Sequence, residues 1–266
     1  MSSRPPRLHS APDPKSFIGQ VVRLPLRFVP NNRTVRVLGG INKGSRWITG
    51  SGPTHGCWLG NYEADHAIAL PRIITPGSIA YDVGANVGFY TLALSRLVGE
   101  SGHVFAFEPA ARSVYFLRRH LELNNIGNVT VVQTAIADRT GLVSFDGWRV
   151  GTEKSYVVPT MSLDEFVAAG HPPPSFIKMD IEGVEKLALE GATSLLSKGN
   201  IAWLLATHSV ELRIECRALM EQFGYHFERF DSPEDPGELG DFLAFPGPTS
   251  ASHAETASAA STFTRG

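Results

Sequence analysis

Four residues have the types and spacing to bind a small charged molecule. Asp82 follows an apolar run, Gly84 and Gly88 come next in Asp82-Val83-Gly84-Ala85-Asn86-Val87-Gly88, and Glu108 ends the following run, Val104 to Phe107. Glycines at such a junction let the turn adopt unusual dihedrals and let a ligand approach the backbone. Glu108 lies about 20 residues beyond them, where an acid commonly accepts both hydroxyls of a ribose. These features alone suit a nicotinamide dinucleotide equally well. Asp82 separates the cases, because a carboxylate beside the helix start would repel a pyrophosphate. The spacing from Gly84 to Gly88 also misses G-x-G-x-x-G. S-adenosylmethionine (SAM) carries an ammonium and a sulfonium on its amino-acid portion. Asp82 would meet the ammonium directly or through water, and Asn86 the neighbouring carboxylate or main chain. The plain structural alternative is that Asp82 caps a helix and the glycines shape a turn.

A second set of residues could act on an acceptor. Asp180 and Glu182 follow the run Phe176 to Met179, and His208 follows Ile201 to Ala206. Methyl transfer is an in-line displacement, accelerated by holding the acceptor oxygen roughly 3–3.5 Å from the methyl carbon. An aliphatic hydroxyl is a poor nucleophile while protonated, so a base or a metal would help. Asp180, Glu182 and His208 are the candidates for that work. The bland readings are that Asp180, Glu182 and Glu185 favour the next helix through its dipole, and that His208 is a solvated neighbour of a Thr207 or Ser209 cap. Lys178 shares a strand face with Asp180 and would pair with an acid.

These residues need a scaffold that gathers strand ends. From Ser78 onward, the runs Ile79 to Val83, Val104 to Phe107, Val129 to Gln133, Phe176 to Met179 and Ile201 to Ala206 read as buried strands. Between them lie stretches of helical period: Val87 to Val98, Val114 to Leu121, Val184 to Leu195, and Leu212 to Phe223. Ser162 and Glu165 form a capping-box signature. The alternation implies a Rossmann-like α/β fold, a doubly wound and mostly parallel sheet, closed by an antiparallel hairpin of His226 to Phe230 and Asp241 to Phe245. Residues 17–77, with β-branched segments at Val21–Val22, Thr34–Val37 and Trp47–Thr49 and a short helix near Glu63 to Leu70, form a β-rich extension and possible lid. The expected organisation is a disordered arm at 1–16, this extension, a cofactor-binding domain at 78–246, and a disordered tail at 247–266.

Composition narrows the partners. Of the 266 residues, 42% are hydrophobic and 19% charged, enough for one sizeable core, and the net charge of −2 creates no field for nucleic acid or an anionic membrane. No apolar run approaches the roughly 20 residues that span a bilayer. Two cysteines, Cys57 and Cys216, suggest free thiols, and a cytoplasmic location is the expectation. The histidines show no zinc spacing with the cysteines, and a divalent metal stays open without sequence support.

The segments Gly60-Asn61-Tyr62-Glu63, Asp82 to Gly88, Phe107-Glu108-Pro109, Asn124-Asn125 through Ala137-Asp138, and Lys178-Met179-Asp180-Ile181-Glu182-Gly183-Val184-Glu185 resemble the FkbM family of SAM-dependent methyltransferases. The resemblance runs from about Gly56 to Tyr225 and rests most on the K-x-D-x-E-G-x-E spacing. It implies a class I methyltransferase fold and O-methylation, often of sugars or natural products, with a small-molecule hydroxyl as acceptor. Beside the resemblance, the residues themselves leave alternatives: Tyr62 and Glu63 would fold over the cofactor as part of a lid, or Tyr62 would dock a helix with Glu63 exposed. Asp138 with the Ala135 to Ala137 backbone would border the adenine, and Trp148, Arg149 and Tyr156 would wall the acceptor or belong to the core. Many relatives carry an acid near the end of the fifth strand, where this chain has Ala206. That departure keeps open a non-catalytic SAM-binding protein; a nicotinamide oxidoreductase is disfavoured by Asp82.

Overall fold

The computed structural model describes residues 29–63, 66–146, 156–228 and 241–247. The expected arm, the tail beyond 247, Val21–Val22, Trp148 and Arg149 lie outside them. The described chain opens with β1 (Thr34–Arg36) and β2 (Arg46–Ile48), antiparallel with Val35 opposite Trp47, then α1 (Gly56–Leu59) and α2 (His66–Ile73). This extension shares a core with the sheet domain: Val37, Trp47, Cys57 and Leu70 are buried in one cluster with Ala80, Leu92 and Leu117. His120 fastens the two parts. Its Nε2 accepts the Ile48 N–H (3.0 Å), its Nδ1–H donates to the Val87 carbonyl (2.8 Å), and its ring stacks on Trp47 with centroids 4.0 Å apart.

The sheet domain begins with β3 (Ile79–Val83), α3 (Phe89–Val98), β4 (His103–Phe107), α4 (Ala111–Leu123) and β5 (Val129–Val132). After β6 (Ala135–Ile136), β7 (Gly141–Phe145), β8 (Tyr156–Met161) and α5 (Leu163–Ala168), the sheet resumes at β9 (Phe176–Met179). Then come α6 (Glu185–Glu190), α7 (Thr193–Ser197), β10 (Ala202–Leu205), α8 (Val210–Glu221), β11 (Tyr225–Glu228) and β12 (Phe242–Pro246). The strand order is β11-β12-β10-β9-β3-β4-β5, parallel except for β12, which runs antiparallel to both neighbours. This is the expected Rossmann-like, class I methyltransferase sheet with its closing hairpin. The order reverses between β3 and β9, and ligands of such sheets bind outside the strand ends at that switch.

Alternation along the strands decides which side chains face which layer. Tyr81, Val83, Phe105, Phe107, Ile177 and Met179 fill one core, whereas Ala80, Val104, Ala106 and Leu204 belong to the other. Asp82 falls on the Ala80 side, under α3. The capping box forms as expected, with the Ser162 hydroxyl accepting from Glu165 N–H (3.1 Å) and Glu165 Oε2 accepting from Ser162 N–H (2.9 Å).

Two features differ from the sequence reading. The helix expected over Val184 to Leu195 breaks into α6 and α7 at Gly191, where a Cβ would lie 2.3 Å from the Ala137 carbonyl oxygen. The Asp164 carboxylate then accepts the N–H groups of Ser194 and Leu195, starting the second helix. Between β5 and β9, where the sequence reading placed no strand, the chain holds a small sheet in the order β6-β8-β7. Among the described residues, no helix is long and apolar enough to cross a membrane.

Candidate functional site

A cavity of about 330 Å³ opens at the carboxyl ends of β3, β4 and β9. That volume is in the range of small-molecule sites. Glu108 stands in its wall, nearly buried. Oε2 accepts the Asn86 N–H and Oε1 the Ala110 N–H, each at 2.8 Å, so the carboxylate is held in one orientation. Burial pushes its pKa up, while those two N–H groups and Lys178 pull against the rise. Asn86 lines the same wall in a left-handed conformation, its Oδ1 accepting the Ser113 hydroxyl at 3.1 Å.

Gly84 also lines the cavity, at φ 76°, but the space beside it belongs to the protein: a Cβ there would lie 1.9 Å from the Asp180 carbonyl oxygen. The glycine therefore lets β3 and the end of β9 touch. Gly88 turns at φ 93° into α3, with Leu117 where a Cβ would project. Neither Gly88 nor Asp82 lines the cavity. Asp82 is buried, accepts the Thr91 hydroxyl at 2.6 Å and lies 3.6 Å from Lys178 Nζ. Burial raises its pKa, opposed by Lys178 and Thr91. Burial alone would lower the Lys178 pKa, but Asp180 and Asp82 outweigh it and keep the ammonium charged. A cation that touched Asp82 directly would have to displace Lys178.

Asp180, Ile181 and Glu182 form another side of the cavity. His208 joins them from the β10–α8 junction: its Nε2 lies 3.4 Å from Asp180 Oδ1 and 3.4 Å from Glu182 Oε2. Its Nδ1 is bound by Glu185 Oε1 at 2.9 Å. Glu185 is buried and also accepts the N–H groups of Ile181 and Gly183. The Glu185 hydrogen bond is the main cause holding the His208 pKa above its ordinary value. Ser209 caps α8 through the Leu212 N–H at 3.0 Å, as the alternative reading of this segment expected. That cap does not leave His208 merely solvated. The three candidate acceptor-side residues thus converge.

Tyr62, Glu63 and Asp138 do not line the cavity. Tyr62 packs edge-on against Phe89. Glu63 accepts the Tyr90 hydroxyl and lies 3.4 Å from His66 Nδ1, while His66 Nε2 lies 3.2 Å from Asp241. Burial opposes it, yet Asp241 and Glu63 raise the His66 pKa to about 9. Asp138 pairs with Arg139 at 3.5 Å, although Ala135 and Ile136 beside it do line the cavity.

Sequence reasoning missed the Gly50–Pro53 loop, which the extension lays along the cavity, together with Phe145 and Asp146; Tyr156, read as part of a wall, lines it. The cluster Gly50-Ser51-Gly52-Pro53 signals a turn but carries nothing to link it with strands that come later. Glu185 was legible as an acid in a first helical turn. Its tie to His208, 23 residues on, was not.

The family described as "Methyltransferase FkbM domain" matches residues 82–243. A curated relative, the hexuronic acid methyltransferase AglP of Haloferax volcanii, is 30% identical over 131 residues, 46% of this chain and 53% of that protein. Among solved structures, methyltransferase FkbM from Methylobacillus flagellatus KT is 21% identical with a TM-score of 0.49, covering 68% of this chain and 51% of its own. A SAM-dependent O-methyltransferase from Thermotoga maritima is 15% identical with a TM-score of 0.49, covering 71% of this chain and 66% of its own. The chain spans about half the length of AglP and of the Methylobacillus protein.

Proposed function

The chain belongs to the FkbM family of methyltransferases, and from that premise we propose that it transfers the methyl group of SAM to a hydroxyl oxygen of a small molecule, a sugar or another metabolite. The observation that carries this reading is Glu108, a buried carboxylate fixed in a cavity wall at the strand ends. Each oxygen already accepts one N–H and keeps a lone pair, so the pair can receive both hydroxyls of a ribose. Ala135 and Ile136 supply an apolar flank suited to adenine, and Gly84 and Asn86 lie where the amino-acid tail would run. Asp82 contributes from below, its charge shared with Lys178.

Bound SAM supplies a methyl group on a positively charged sulfur. The acceptor oxygen forms the new bond to carbon, the sulfur keeps the electron pair of the bond that breaks, and the hydroxyl proton must leave. Asp180, Glu182 and His208 are the polar groups gathered to hold that hydroxyl and ease its proton away. The similarity to the Haloferax relative, a hexuronic acid methyltransferase, supports a sugar acceptor.

Calorimetry with S-adenosylhomocysteine, paired with transfer of labelled methyl from SAM into sugars and a metabolite extract, tests the reading. Absence of binding rejects it. Binding with no transfer to any acceptor favours the non-catalytic SAM-binding protein instead.

A further inference from the structure

Among the described residues, two groups bring one histidine together with two carboxylates: Glu63, His66 and Asp241, and Asp180, Glu182 and His208. They use the imidazole differently. His66 turns Nδ1 to the Tyr90 hydroxyl and Glu63 (3.4 Å) and Nε2 to Asp241 (3.2 Å). Its two nitrogens point to opposite partners, as an imidazolium clasp would have them. His208 turns a single nitrogen, Nε2, to both carboxylates of its group.

We infer that Asp180, Glu182 and His208 bind a divalent transition-metal cation. Both Nε2–oxygen distances are 3.4 Å, longer than the about 2.7–3.2 Å of an ordinary N–H···O bond. Bonds of about 2.1 Å to a shared cation would separate neighbouring ligand atoms by about 3.0 Å in an octahedron and about 3.4 Å in a tetrahedron. The two histidine-to-carboxylate separations therefore match neighbouring ligands on one cation, and the ligand atoms of all three residues lie within 4.8 Å of one another. The other nitrogen, Nδ1, is held by buried Glu185, itself fixed by two backbone N–H groups. A carboxylate on the far nitrogen sets the tautomer and ring orientation of a metal-bound histidine. Two carboxylates and one imidazole suit Mn²⁺ or Zn²⁺ better than Mg²⁺, which prefers oxygen ligands throughout.

Because Asp180 and Glu182 line the cavity, coordination positions not filled by protein would face the acceptor. A cation there lowers the pKa of a coordinated hydroxyl and lets its proton pass to solvent. It also admits an acceptor bearing a carboxylate to an otherwise acidic wall. That role rests on the methyl-transfer reading; the binding of the cation does not.

The test is titration of tag-free, chelator-treated full-length protein with Mn²⁺, read by loss of the free-ion paramagnetic resonance signal, with Zn²⁺ competition. One site per chain is expected. His208→Ala and Asp180→Asn should weaken it at least tenfold, and Glu185→Gln about tenfold or more, each with wild-type circular dichroism. Asp241→Asn, in the other group, should bind as wild type does. No binding of either ion, or binding unmoved in Glu185→Gln and His208→Ala or lost in Asp241→Asn, overturns the inference. S-adenosylhomocysteine calorimetry on the same preparation separates the two readings. Nucleoside binding without the metal site overturns only the cation, and the converse overturns only methyl transfer.

Discussion

Lys178 stands opposite Asp82 in the parallel register of β9 and β3, and its ammonium lies 3.6 Å from the Asp82 carboxylate. The same ammonium donates to the Gly84 carbonyl at 2.9 Å, lies 3.7 Å from Asp180 and sits over the Tyr90 ring. One buried cation thereby ties together the Gly84 turn after β3 and the Asp180 end of β9.

Cutting that tie should cost far more than replacing both ends. Lys178→Met leaves the buried Asp82 charge without its partner, a loss of about 3–5 kcal/mol of stability. Adding Asp82→Asn removes the stranded charge and should recover most of it. Denaturant unfolding of the single and double variants checks this. A double variant no more stable than Lys178→Met would mean that the pair contributes chiefly by packing.

Glu108 is the residue whose loss should be read in binding. On the proposed reading, Glu108→Ala removes the acceptor of two ribose hydroxyls, each charge-assisted bond contributing about 1.5–3 kcal/mol. S-adenosylhomocysteine affinity should fall by at least about 100-fold in calorimetry. Adenine, which makes no use of the ribose contact, should lose none of its weaker affinity. Equal loss of both ligands would instead show that the variant has deformed the cavity.

How much of this was legible depended on the range of the interactions. The apolar runs marked the ends of β3, β4 and β9, and so placed Asp82, Glu108 and Asp180 at the strand tips. The Ser162–Glu165 box is local, and it forms as its spacing predicts. The partner of Asp82 could not be read, because the neighbour of β3 on that side is β9, about a hundred residues later. Asp82 therefore looked free to meet a ligand cation, when Lys178 already answers its charge. Gly191 breaks a helix for the sake of a carbonyl at Ala137, again a distant contact. The small β6-β8-β7 sheet has partly exposed strands and a proline at Pro159, which blur the alternation that reveals a strand.

His66 gives the fold a limit in alkali. Its pKa is raised to about 9 by Asp241 and Glu63, above an unfolded value near 6.5. The folded state holds this proton more tightly, so the stabilisation is fully present below about pH 6.5 and is lost as pH rises through 9. The unfolding temperature of His66→Gln should change less than that of wild type between pH 7 and 9.5. Identical alkaline slopes would show that the clasp carries no proton-linked stability.

His120 sets the opposite limit. Its Nε2 is already occupied as an acceptor from Ile48 N–H, and Nδ1–H donates to Val87, so both nitrogens are committed in the neutral ring. A second proton must go onto Nε2, breaking the Ile48 bond and placing a charge beneath Trp47. Burial accordingly depresses the pKa to about 4. The unfolded chain takes up that proton near pH 6.5, before the folded one does. The stabilisation is present above about pH 6.5 and is lost as pH falls towards 4, about 3 kcal/mol in all. Because the interaction joins β2 to α4 and the β3–α3 turn, acid should loosen the extension from the sheet domain. Hydrogen exchange at pH 5 against pH 7 should show the Ile48 amide losing protection before amides of β3 or β9. In His120→Gln, whose amide can neither charge nor stack as the ring does, the protein should be less stable at pH 7 and its acid slope shallower. A variant that keeps the wild-type slope would assign the acid sensitivity to other groups.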